Sequence, residues 1–293
     1  MKQLLSILVI LNSALCIPAF GQLLPHYSQY MFNNNFINPA VAGTEGFNLA
    51  SFTFRNQWAG FNDAPTTQVV SMCGPLGEDM GFGGILLNDK TGPRRTTGMQ
   101  LTYAYRMQVF DDGTKISLGI SGIFYQHVLD MTDLKPDPYE PPDNVITGGK
   151  EKKFAPDAAF GVYYYTGKYY AGFSVPQLFQ NELQRHFFFT GGYKYEINDN
   201  FDIEPSFLFK AVAHVPAQLD INAKLIYQEK YWSGLSYRHK ESIIIMLGID
   251  LKNKYLFGFS YDITLTQIRK YSIGSHEIYL AIKFPAFRKK AVL

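Results

Sequence analysis

The side chains able to do chemistry approach several known arrangements and complete none of them. His276-Glu277 opens the His-Glu-x-x-His pattern, in which two imidazoles one helical turn apart hold zinc and the glutamate acts as base. Leu280 stands where the second imidazole is needed. Gly167-Lys168 is similar to the end of a phosphate-binding loop. Tyr169 replaces the Ser or Thr that would meet magnesium, and the spacing from Gly161 is one residue too long, so a hairpin turn is the better reading. Asn198, Asn200 and Asp202 have the spacing of a calcium loop, but Ile203 occupies the position of the sharp-turning glycine. Asp137, Glu140 and Asp143 could hold calcium in a long loop, against the plainer reading of a solvated acidic stretch. No Gly-x-Ser-x-Gly elbow occurs, and the six histidines are scattered. Cys73 is read as a small strand residue, alone once Cys16 has left with an export signal. The chain is read as no enzyme, with no catalytic set, cofactor or metal site. Its net charge of +2 is too weak to argue for nucleic acid.

The charged side chains fall instead on strands. In residues 254–262, Tyr255, Phe257, Phe259 and Tyr261 share one face, and Leu256, Gly258, Ser260 and Asp262 the other. Residues 201–211 set Ile203, Phe207 and Phe209 against Asp202, Glu204, Ser206 and Lys210. Residues 219–227 set Ile221, Ala223 and Leu225 against Asp220, Asn222 and Lys224. Leu101, Tyr103 and Tyr105 oppose Gln100, Thr102, Ala104 and Arg106. A soluble core made of so many rings would have to match sizes across facing positions, whereas lipid imposes no such fit. With 20 Tyr and 24 Phe, the composition suits lipid-facing strands and aromatic girdles. Asp202, Glu204, Lys210, Asp220 and Lys224 are then expected to form ion-pair ladders inside a barrel.

Residues 1–21 read as a secretory signal peptide: Lys2, an apolar run from Leu4 to Leu15, and Ala19 and Gly21 three and one residues before the cut. Beyond them no run of about eighteen apolar residues offers a membrane helix. The remaining way to span a bilayer is a closed sheet in which every backbone polar group is paired. The pattern therefore predicts an all-β, transmembrane antiparallel β-barrel of about fourteen strands in the outer membrane of a Gram-negative cell. The strands are expected near residues 47–58, 66–74, 80–88, 96–109, 114–128, 154–165, 168–177, 185–197, 201–213, 217–228, 230–239, 242–251, 254–264 and 275–284. Turn residues such as Asp111-Asp112-Gly113, Thr166-Gly167 and Lys252-Asn253 separate them. Residues 130–153, rich in proline and charge, are expected to be a long extracellular loop. Residues 285–293 are expected to be a short periplasmic tail.

Residues 22–46 precede the barrel (47–284) and place Tyr27, Tyr30, Met31, Phe32, Phe36 and Ile37 outside any strand. Large apolar groups in water are costly, so they must be covered, either inside the barrel mouth or by a partner. The segment is expected to plug or cap the periplasmic mouth, with one short helix at residues 27–32.

Two blocks carry a resemblance. Pro25-His26-Tyr27-Ser28-Gln29-Tyr30-Met31-Phe32-Asn33, followed by Asn38-Pro39-Ala40-Val41-Ala42-Gly43, resembles the opening of the PorP/SprF family. Arg55-Asn56-Gln57-Trp58-Ala59-Gly60-Phe61 continues it. Asn88-Asp89-Lys90-Thr91-Gly92-Pro93, Tyr261-Asp262 and Gly274-Ser275-His276-Glu277-Ile278 are similar to later family blocks. The resemblance implies an outer-membrane barrel of the type IX secretion and gliding machinery. It implies partners of two kinds, a secreted cell-surface adhesin or other cargo and a periplasmic peptidoglycan-binding protein, beside the lipid bilayer itself. Tyr27, Tyr30, Phe32, Asn38, Pro39 and Trp58 are the candidate plug or docking residues. The rival function is an outer-membrane channel passing small solutes.

Overall fold

The computed structural model describes residues 27–32, 34–132, 149–181, 184–213 and 215–286. The expected signal peptide, the acidic positions 137, 140 and 143, and most of the expected tail lie outside the described residues. Fifteen strand segments follow in chain order: β1 Asn48–Asn56, β2 Thr66–Pro75, β3 Met80–Thr91, β4 Arg94–Gln108, β5 Lys115–Asp130, β6 Lys150–Tyr165, β7 Tyr169–Val175, β8 His186–Tyr193, β9 Tyr195–Asn198, β10 Phe201–Val212, β11 Val215–Tyr227, β12 Tyr231–Arg238, β13 Ser242–Leu251, β14 Tyr255–Thr264 and β15 Ser275–Phe284.

Each strand pairs antiparallel with its neighbour in sequence, and β1 closes on β15 from Asn48↔Phe284 to Asn56↔His276. β8 and β9 both face β10 and form one stave interrupted at Lys194. The sheet is thus a closed barrel of fourteen staves, as the alternation predicts.

The two rims differ. At one lie short turns such as residues 76–79, 166–168, 228–230 and 252–254, together with the start of β1 and the end of β15. At the other lie the longer connections 57–65, 131–149, 176–185 and 265–274. The β5–β6 connection is shorter than expected. Pairing runs up to Asp130↔Lys150, so the Lys-rich residues 150–153 belong to β6 rather than to a loop. Their charge misled the reading, because outward strand residues above a lipid band are free to be charged.

Alternation runs as read. On β14, Phe257 and Phe259 are 45% and 46% exposed, while Gly258, Ser260 and Asp262 are buried. The outward rings belong to lipid. Near the short-turn edge Tyr231 and Tyr255 stand outward with Lys230 and Lys254 over them at 4.9 and 5.2 Å, the amphipathic pairing expected at an interface. Inside, Lys224 meets Glu204 at 2.6 Å, Lys194 meets Asp202 at 3.1 Å and Lys210 meets Asp220 at 3.5 Å, the ladder that the inward faces predict.

Candidate functional site: the strap through the lumen

A lumen lined by glycine, serine and charge needs something to fill it, and the preceding segment does so. Residues 27–46 run through the barrel as a strap of three 3-10 turns, Tyr30–Phe32, Asn34–Phe36 and Pro39–Val41, rather than one helix. The expectation of a segment confined to one mouth is corrected. The strap begins among residues near the long-loop rim and enters β1 at the short-turn rim. Its apolar groups are too many for one mouth, and walls on every side cover them.

The leading end is held by charge. The backbone amides of Ser28 and Gln29 each donate to a Glu277 carboxylate oxygen at 2.8 Å. The Ser28 hydroxyl lies 2.8 and 2.9 Å from the Asp262 oxygens and accepts from Arg55 Nη1 at 2.6 Å. Arg55 also bonds Asp262 at 2.6 Å and reaches Glu277 at 3.3 Å. Arg55, Asp262 and Glu277 are 2%, 2% and 1% exposed, so this cluster is dry. Beside it, Arg238 pairs with Asp220 at 3.2 Å and donates to the Tyr27 carbonyl at 3.2 Å. Buried ions need partners for both charge and hydrogen bonds, and the strap supplies part of them, leaving only the Nε of Arg55 unpartnered in the Arg55–Asp262–Glu277 cluster.

The middle is held by packing. Tyr27 stacks edge-on against Phe36 with ring centroids at 4.3 Å. Tyr30 is buried with Val69, Ile85, Ile123 and Leu208, and its hydroxyl accepts from Asn222 at 2.6 Å. Phe32 lies against Trp232 at 4.1 Å and Tyr279 at 5.9 Å, and the Tyr279 hydroxyl donates to the Phe32 carbonyl at 3.0 Å.

Asn38 and Pro39 form the seat. Asn38 caps the third turn by accepting from the Ala40 amide at 2.9 Å, and its amide donates to the Val162 carbonyl at 3.0 Å. Beneath them Gly119 and Gly161 are cross-strand partners. A Cβ on Gly161 would lie 2.0 Å from the Asn38 oxygen, and one on Gly119 would lie 2.3 Å from the Ala40 amide nitrogen. The wall is bare there because the strap backbone touches it. At the trailing end, Gly43 turns at φ +79° and its carbonyl accepts from Arg106.

Trp58 stands apart from the other five candidates. It lies in the β1–β2 connection at the long-loop rim, where its amide donates to the Ser275 hydroxyl at 3.0 Å. The neighbouring Ala59 exchanges backbone bonds with Gly274 and Ile273, so these two rim connections are zipped together. The sequence reading did not single out Ser28, Arg55, Asp262, Glu277 or Arg238 as site residues. A signal existed: three charges at inward positions on β14, β15 and β1, of which β1 joins the other two only once the barrel closes. His276-Glu277 lies on a strand, so its two side chains point to opposite faces, His276 against Tyr261 at 5.1 Å and Glu277 into the lumen.

Two voids flank the strap. One of about 220 Å³, largely apolar, is walled by Tyr27, Tyr30, Phe36 and Ile37 toward the long-loop rim. A chamber of about 460 Å³ lies toward the short turns, walled by Met31, Phe32, Asn35 and Val41 on the strap side. Among the described residues no helix is long and apolar enough to cross a membrane, and no group of three or more His, Cys, Asp or Glu could hold a metal ion.

An outward apolar wall, a closed antiparallel sheet and a polar, strap-filled lumen together define an outer-membrane β-barrel. Within that class the chain is matched over residues 19–282 by the family described as type IX secretion system membrane protein PorP/SprF, and it belongs to that family. No curated protein matches it. Solved structures similar to it include the KdgM porin, at 8% identity and TM-score 0.43 over 80% of this chain and 99% of that one. The CymD monoaromatic hydrocarbon channel is similar at 11% identity and TM-score 0.48 over 91% and 94%. A Rhodopseudomonas blastica porin triple mutant is similar at 8% identity and TM-score 0.36 over 81% and 99%.

Proposed function

We propose that this barrel works in type IX secretion by protein–protein contact rather than by conduction. It would support the secretion or surface attachment of an adhesin-like cargo at its long-loop rim. At its short-turn rim it would meet a periplasmic peptidoglycan-binding component of the machinery. Residues 1–21 would direct export and be removed. The long-loop rim would be extracellular, following the usual asymmetry of outer-membrane barrels.

The observation that carries this reading is the strap. It runs the length of the lumen and is tied to the wall at the buried Arg55–Asp262–Glu277 cluster, at Tyr30 and at the Asn38 seat. A conduit built for solutes gains nothing from filling its own lumen with ion-paired backbone. A platform gains rigidity.

The test pairs two measurements. Cells lacking the protein should lose surface display of the cargo and regain it with the wild-type chain, while the purified barrel stays silent in planar bilayers. Large, steady single-channel currents with cargo display intact would replace this reading with that of a solute channel. Within the reading, Tyr30→Ala with Phe32→Ala separates plug from docking surface. Loss of heat-modifiable gel mobility together with display marks a plug. A heat-modifiable barrel at normal abundance without display marks docking.

A further inference from the structure

Outward residues of β2 to β6 form horizontal rows, because antiparallel pairing sets one residue of each strand opposite the next. One row reads Val70, Leu86, Met99, Phe124 and Pro156. The row above it, toward the long-loop rim, reads Gln68, Asn88, Thr97 and Gln126 on β2 to β5, and ends on β6 at Phe154, which lies against Phe124. The next pairs Lys90 with Arg95, Arg95 with Val128 and Val128 with Lys152. Two residues of a strand rise about 6.7 Å, so the cations stand roughly 10 Å above the apolar row on a tilted wall.

The sequence of chemistries is hydrocarbon, then amide and hydroxyl, then positive charge. Arg95 Nε donates to the Asn88 side-chain oxygen at 2.8 Å, and the Asn88 amide donates to Gln68 at 3.2 Å, so the two upper rows are bonded into one surface. A hollow of about 600 Å³ opens there, lined by Lys90, Arg95, Thr97, Gln126, Lys150 and Lys152 among others. Two carboxylates belong to it: Asp63 lies 3.9 Å from Lys90, and Asp130 lies 2.7 Å from Lys150. Among the described residues no carboxylate comes within ion-pair distance of Arg95 or Lys152. The hollow is therefore net positive.

We infer that this outer-wall hollow binds a phosphorylated, acylated glycolipid of the outer leaflet, the lipid A class. Acyl chains lie along Leu86, Met99, Leu101 and Phe124. The sugar amides and hydroxyls meet Asn88, Thr97 and Gln126. A phosphate sits among Lys90, Arg95 and Lys152. A soluble anion would not need the apolar row, and a neutral lipid would not need the cations. The leaflet rests on the orientation proposed above; the headgroup chemistry does not.

The test uses the full barrel, purified in detergent and stripped of native lipid, with binding followed by native mass spectrometry. Diphosphoryl lipid A should bind at least about tenfold more tightly than the same lipid after phosphatase treatment, as expected for charge-assisted phosphate contacts. The variant K90Q/R95Q/K152Q should lose the same factor while keeping heat-modifiable mobility, and K152Q alone should lose part of it. Equal binding with and without phosphate, or by wild type and triple variant, would overturn the site. Inorganic pyrophosphate bound as tightly as lipid A would make it a soluble-anion site, and preference for phosphatidylglycerol would make it a phospholipid site; either overturns the proposal. The orientation fails separately, through an epitope at Thr147 that is reached only from the periplasm.

Discussion

Replacing Glu277 by alanine removes two contacts to the strap and one within the wall. Its carboxylate accepts from two consecutive strap amides at 2.8 Å and faces Arg55 at 3.3 Å. The Arg55 pair lies within the wall and is lost whether the strap is seated or displaced, so it does not bias that equilibrium. Each buried amide left without an acceptor costs about 1–3 kcal/mol. For the two strap amides we expect about 4 kcal/mol against the seated state. That is about a thousandfold in the equilibrium between strap seated and strap displaced. The sheet bonds of β15 run through its backbone and are untouched, so the variant should remain a heat-modifiable barrel. In planar bilayers it should show brief openings that the wild type lacks, and the segment before β1 should become cleavable by added protease. Glu277→Gln, which keeps one acceptor oxygen, should fall between the two. A Glu277→Ala barrel as silent and as protease-resistant as wild type would refute the reasoning that the charge cluster fastens the strap.

Other outcomes follow from the same geometry. Gly161→Leu should unseat Asn38 and Pro39, since its Cβ alone would sit 2.0 Å from the Asn38 oxygen, and should reproduce the openings without touching any charge. Phe257→Lys, on the lipid face, should destabilise the barrel by roughly 2–4 kcal/mol near the bilayer midplane, read by urea titration in vesicles. Gly258→Ser, one residue along, meets Gln29 at 2.3 Å and Trp232 at 3.0 Å and should loosen the strap rather than the sheet. An epitope inserted at Thr147 should be reached by antibody on intact cells, and labelling only after membrane disruption would reverse the proposed orientation.

The staves were legible because their signal is local. Phe257, Gly258, Phe259 and Ser260 declare a strand and its two faces within four residues. The lumen ladder was legible for the same reason, since Glu204 and Lys224 already alternate with apolar neighbours on their own strands. The cluster at the head of the strap was not. Ser28 meets Glu277 across 249 positions and Asp262 across 234, and only closure of β1 on β15 brings Arg55 between them. The apolar residues of the strap announced that they needed cover, but not where. Tyr30 and Phe32 look the same in sequence whether a mouth, a lumen or a partner hides them. The extent of the β5–β6 connection was misread because charge on Lys150 and Lys152 marks a loop in a soluble protein and only a height above lipid in this one.

The strap is joined to the barrel at one rim while its head is fastened near the other, and this constrains the order of assembly. A finished barrel would have to draw about twenty residues, bulky rings included, through an already packed interior, far from any low-energy path. A sheet still open between β1 and β15 has no such obstacle, because it can curl around a segment lying along its concave side. The head is held by Arg55 on β1 and Glu277 on β15, which are direct cross-strand partners at that seam, and by Asp262 on the adjoining stave. Sealing the seam and capturing the head are therefore a single event. A chain lacking the strap would have to close with two carboxylates sharing one arginine and without the Ser28 and Gln29 donors that satisfy the remaining oxygens, so the segment would act as a template for the last step of its own enclosure.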